Sequence, residues 1–310
     1  MPRKAMLTTA AALAALLLAT TAVAASPGNL GAWSAPQKLD EIEGNHPNVN
    51  TMSIDGCPIQ SPDGKRLFLA STRPRFPGDT RTDLDIWVAH RTSHTAPWSE
   101  PVNLGPAINS TADDFCPTPI RGNGLFFVSR RTTPGVTCGL GDIYLAEEHP
   151  VLGWAEPRHL GCTPDGPNTA LDEQGPSLVG FGDRAELYFS SGPDIFVSQG
   201  DSQLRFGAGV AVDGLNGSGA DIQPNARRDG LEIYFASSDA TRPGAQGGFD
   251  LYVSSRTSDD APWGPPVNLG PAINTAANET RPSLSWQATQ ILFGRAPSPE
   301  GMSDIYVATR

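Results

Sequence analysis

The chain has 310 residues and a formal charge of −11, from 33 acidic against 22 basic side chains, so bulk electrostatics exclude nucleic acid and anionic lipid as preferred partners. Its 33 glycines and 29 prolines, with no low-complexity tract to absorb them, argue against a helical protein and for many short strands joined by turns. No amphipathic helical window follows the first 25 residues.

Residues 1–25 read as a secretory signal peptide. Arg3 and Lys4 give a basic start, an apolar run from Ala10 to Ala19 is short for a membrane span, and Ala22 and Ala24 give the small-x-small pattern before a cleavage point. Cleavage leaves a mature chain of charge −13, expected to be exported to the periplasm or the cell exterior, with no transmembrane segment. Residues 26–310 are read as one domain.

After a short linker, residues 33–39 open with Trp33 and form half of a repeat. The full repeat is plainest in PWSEPVNLGPAIN at 97–109, which recurs almost unchanged at 262–274. Five units follow, starting near residues 55, 114, 173, 221 and 279. Each has an acid-x-x-Pro segment, an apolar run and an Asp-Ile-Tyr-type strand, and the first four add a segment opened by an aromatic residue. In the first unit this predicts strands over 57–60, 66–70, 85–89 and 98–104, with Ser61-Pro62-Asp63-Gly64 as a turn. The fifth unit lacks its last strand, and residues 33–39 are the missing piece. The expectation is an all-β, five-bladed propeller of four-stranded antiparallel blades, closed by the N-terminal strand completing the last blade.

The Ser61-Pro62-Asp63-Gly64 turn before Leu67, Phe68 and Leu69, with Asp-Ile-Tyr or its variants five times over, resembles the WD40-like PD40 repeat of the TolB propeller. That resemblance implies a secreted or periplasmic propeller and leaves activity open, because such scaffolds host many functions.

Aligning the units on their prolines places a carboxylate three residues earlier in each: Asp55, Asp114, Glu173, Asp221 and Glu279. Inner propeller strands line the channel, so these five are expected as a ring near one mouth. The ring serves as scaffold, or as a ligand site that includes Arg281, or as a site for a Ca²⁺ ion held by oxygen ligands. Arg281 either orients an anionic or sugar ligand or bridges to Glu279 or Asp221. A second recurring set, Asp85, Asp142, Asp194, Asp250 and Asp304, opens the third strands and reads as structural. The four cysteines allow three pairings, of which Cys57–Cys116 with Cys138–Cys162 is preferred. No nucleophile motif stands out. The resulting expectation is a monomeric, non-enzymatic platform for a protein, peptide or cell-envelope glycan, with no cofactor and with specificity from the loops 72–82, 131–139 and 239–247. The alternative is a carbohydrate-active hydrolase using carboxylates of the ring.

Overall fold

The computed structural model describes residues 31–180, 182–298 and 302–310, so the leader expected over 1–25 lies outside the described residues. Five antiparallel sheets form a ring. In blade 1 the strands, from the axis outward, are Asp55–Gln60, Arg66–Ser71, Asp85–His90 and Val102–Asn103. Blade 2 repeats this with Asp114–Pro119, Gly124–Ser129, Asp142–His149 and Arg158–His159. Blade 3 has Glu173–Val179, Ala185–Ser191, Asp194–Gly200 and Val210–Ala211. Blade 4 has Asp221–Ala226, Glu232–Ser237, Asp250–Ser255 and Val267–Asn268. Blade 5 has Asn278–Leu284, Gln290–Ala296 and Asp304–Thr309, and its fourth strand is Gln37–Lys38, paired with Tyr306 and Val307.

The ring therefore closes as expected. Lys38 is buried and its Nζ lies 3.1 Å from Asp304, while Leu39 packs with Leu67, Leu69 and Leu292 between blades 5 and 1. The core lies between neighbouring blades. Second strands bury both faces and so read as unbroken apolar runs, such as Leu125, Phe126, Phe127 and Val128, all fully buried. Each such phenylalanine contributes about 2–3 kcal/mol by leaving water. Outer strands are shorter than the sequence suggests: Trp98 precedes its strand instead of belonging to it, and it packs under Arg91, whose guanidinium carbon is 4.0 Å from the indole centroid. Arg256 over Trp263 and Arg310 over Trp33 repeat the contact. No helix among the described residues is long and apolar enough to cross a membrane.

The crossings explain the repeated motif. Asn109, which ends it, accepts from the Ile86 N–H at 2.8 Å and donates to the Ile86 carbonyl at 3.0 Å. Asn50, Asn168, Asn216 and Asn274 make the same two bonds to Ile305, Ile143, Ile195 and Leu251. Each crossing is thereby pinned to the third strand of the blade it leaves.

Candidate functional site

The two ends of the channel have different chemistry. At the starts of the inner strands, Asp55, Asp114, Glu173, Asp221 and Glu279 are all fully buried. Each accepts from the backbone N–H four residues earlier, at Thr51, Ser110, Thr169, Gly217 and Thr275. Where that residue has a hydroxyl, the hydroxyl donates to the same carboxylate. Four of the five also hold an arginine: Arg73 on Asp55, Arg131 on Asp114 at 2.7 Å, Arg242 on Asp221 at 2.9 Å and Arg295 on Glu279 at 2.7 Å. The first three arginines come from the loops expected to confer specificity, and they turn inward instead.

Glu173 has Ser191 in place of an arginine, because blade 3 joins its second and third strands through Gly192 and Pro193 alone. Burial without a cation raises Glu173 to about 7, and its Oε2 has no hydrogen-bond partner. Burial also raises Asp221, with Arg242 acting against it.

One step further along each inner strand stands the residue before the proline: Cys57, Cys116, Gly175, Gln223 and Arg281. All five have φ between +49° and +62°, and the strand pairing slips at each, so each is a bulge residue turned to the axis. Of the expected pairing, Cys138–Cys162 forms and Cys57–Cys116 does not: Cys57 and Cys116 face one another as free thiols. Burial opposes ionisation at Cys116, but the Cys57 thiol and the Arg281 guanidinium outweigh it, pulling Cys116 down to about 7 and leaving Cys57 raised. Arg281 is only 1% exposed, and it does not bridge to Glu279 or Asp221, which have their own arginines. Its Nη2 donates to the Cys116 and Pro117 carbonyls and to Thr118 Oγ1 at 3.0 Å, while Nε and Nη1 are buried without partners. Gly175 leaves room for it: a Cβ there would lie 2.7 Å from Arg281 Nη1 and 2.5 Å from Gln223 Cα.

The second set of aspartates holds the loops and outer strands. Asp142 accepts from the Cys138 N–H and meets His159, Asp250 accepts from the Gln246 N–H, and Asp85 meets Arg75 and Asn103.

A cavity of about 280 Å³ opens at the other end of the channel, where the inner strands finish, and all five blades line it. With a rise of about 3.3 Å per residue, it lies roughly 15 Å along the axis from the acid ring. Thr118, Ser177 and Asn225 give it polar walls; Trp286 stands half-buried in it, and Arg121 and Arg228 are exposed beside that indole. The guanidinium carbons lie 4.8 and 5.7 Å from the Trp286 ring centroid. Sequence reasoning missed this site, although a signal existed. The residue four positions after each inner-strand proline is Pro62, Arg121, Gly180, Arg228 or Trp286, and all five line the cavity.

No protein-family model matches the chain, and no curated protein matches its sequence. Solved structures match its fold. A GH43 endo-arabinanase from Bacillus licheniformis is 15% identical, covering 81% of this chain and 92% of its own, with a TM-score of 0.53. A glycosyl hydrolase from Bacteroides ovatus is 7% identical, covering 89% and 94%, with a TM-score of 0.56. TolB from Acinetobacter baumannii is 15% identical, covering 83% and 55%, with a TM-score of 0.43. What these likenesses share with the chain is the propeller. The expectation of a non-enzymatic binding platform is corrected by them: the endo-arabinanase and the Bacteroides ovatus protein, both above a TM-score of 0.5, are glycoside hydrolases, which favours the hydrolase alternative over the platform.

Proposed function

We propose that the chain is a carbohydrate-active hydrolase that works on sugar held in the axial pocket. The observation that carries this reading is Trp286, a half-buried indole among polar Thr118, Ser177 and Asn225 in a cavity lined by every blade. Such an indole is a surface for a sugar ring to stack on, while the polar groups bond its hydroxyls. The hydrolases that share the propeller build support it, and arabinan, named for the Bacillus licheniformis neighbour, is the first polymer to test.

The ring carboxylates are fully buried and each is tied to a backbone N–H at the far end of the channel, so the group we assign to the chemistry is Asp229, in the pocket wall. Burial works to raise its pKa, but the Arg227 guanidinium at 2.7 Å and the Leu231 N–H outweigh it and hold Asp229 below the ordinary value. It is then ionised at neutral pH and can take the proton of a water adding at the anomeric carbon. The departing oxygen takes its proton from solvent at the open mouth. The disulfide Cys138–Cys162 supports an exported protein, periplasmic or extracellular.

The test is release of reducing ends from arabinan, xylan and polygalacturonate by the full chain. Expected are measurable release, a loss of about 100-fold or more in Asp229→Asn, and a rise of about tenfold in KM in Trp286→Ala. No release from any polymer, or an undiminished rate in Asp229→Asn, overturns the reading.

A further inference from the structure

At the axial pocket, among the described residues, Arg121 and Arg228 stand together without a carboxylate to meet them. Elsewhere most guanidinium groups meet a carboxylate, such as Arg66 on Glu148, Arg130 on Asp113 and Asp172 and Arg256 on Glu186, or a backbone oxygen, as Arg91 and Arg158 do. At the pocket the pattern stops. Among the described residues, Arg121 and Arg228 make neither a hydrogen bond nor an ion pair, and their contact is the Trp286 indole they share. Behind the wall, Arg281 reaches Thr118 Oγ1 while two of its nitrogens stay unpartnered at 1% exposure. The single carboxylate of the lining, Asp229, is already committed to Arg227.

Two like charges on one indole repel each other, and a buried guanidinium with unmet donors is costly to keep. An anion placed between Arg121 and Arg228 removes the repulsion, and planar guanidinium forks match the two oxygens of a carboxylate in a bidentate way. We propose that this pocket takes a carboxylate-bearing sugar, a uronate residue of an acidic glycan, whose ring stacks on Trp286 and whose carboxylate is held by Arg121 and Arg228. This deepens the hydrolase reading and rests on it for the pocket as the sugar site. The cavity lies at the small end of ligand pockets, so it holds one or two sugar residues and not a long chain.

The experiment is binding, not turnover. The full chain is titrated with a galacturonate tetramer, with its methyl ester and with an arabinan tetramer, followed by calorimetry and by indole fluorescence. The acid should bind at least about tenfold tighter than the ester, and the difference should shrink between low and high salt. The double variant Arg121→Gln/Arg228→Gln should lose that preference while keeping its melting temperature, since both side chains are exposed. Equal affinity for acid and ester, or an intact preference in the double variant, overturns the inference. A sulfated oligosaccharide binding more tightly than the uronate also overturns it, by naming a different anion. The outcome separates the two readings: acid-selective binding without release of reducing ends leaves this inference standing and removes the hydrolase, whereas hydrolysis with no acid preference does the reverse.

Discussion

Glu173 differs from its four counterparts by one missing cation, and the consequence can be measured. A carboxyl held at about 7 in the folded protein, against about 4.3 unfolded, binds a proton in the native state over the pH range between them. Stability therefore falls as pH rises from about 4.3 through 7, opposite in sign to an arginine-paired acid. Glu173→Gln keeps an acceptor for Thr169 and Ser191 and puts an amide at the unpartnered Oε2, with no charge to bury. The variant should unfold in urea like the parent at pH 4 and be about 3–4 kcal/mol more stable at pH 8. A parent and variant that track together at both pH values contradict this. The ring acids themselves were legible in the sequence because they recur at one spacing from a proline. Their arginines were not, because they stand 18, 17, 21 and 16 residues from their acids, three in loops of unequal length and Arg295 on a strand, and share no offset to align.

Among the elements, the crossings carry more of the fold than their lack of regular structure suggests. The sequence shows PAIN twice. The physical unit is broader: an asparagine stands five residues before every ring acid, at 50, 109, 168, 216 and 274, and a reading by identity sees only the two copies whose neighbours match. Each asparagine takes the N–H of a third-strand residue and gives a further bond to that residue's C=O, which at 86, 143, 195 and 251 also accepts a backbone N–H of the outer segment. Asn109→Ala leaves the buried Ile86 N–H without a partner, while the Ile86 carbonyl keeps the Leu104 N–H, and the expected cost is about 1–3 kcal/mol. Val102→Ala, at a residue 60% exposed in the same blade, should stay within about 0.5 kcal/mol. Urea unfolding of both decides it, and a cost under about 1 kcal/mol for Asn109→Ala returns the crossing to an ordinary loop. The pocket escaped the sequence reading for a related reason. Turn positions vary by nature, so Pro62, Arg121, Gly180, Arg228 and Trp286 look like the decay of a turn motif until the blades are placed around one axis.

For the whole molecule, the question is whether five blades behave as one unit. Fold class and closure were readable from the sequence because the half-repeat at the start completes the unit at the end, an argument that needs no side-chain geometry. What the structure adds is the strength of the latch. Lys38 is buried against Asp304, whose carboxylate oxygens have no hydrogen-bond partner, so the ion pair is what compensates that buried charge. Lys38→Met keeps the apolar stem and removes the cation. Breaking one side of a buried pair costs about 3–5 kcal/mol. Because the latch joins blade 5 to residues that also pack on blade 1, through Leu39 and through Asn50 on Ile305, the loss should fall on the ring as a whole. Intrinsic fluorescence and far-UV dichroism should then shift together to lower urea in Lys38→Met, with one transition by both probes. If blade 5 unfolds first and the remaining blades keep the parent midpoint, closure is a local contact and the ring is a chain of independent sheets. The distinction matters for the axial pocket, because its walls come from all five blades: an opened ring would separate Trp286 on blade 5 from Arg121 on blade 2 and Arg228 on blade 4, and sugar binding should fail in the same urea range in which the transition begins.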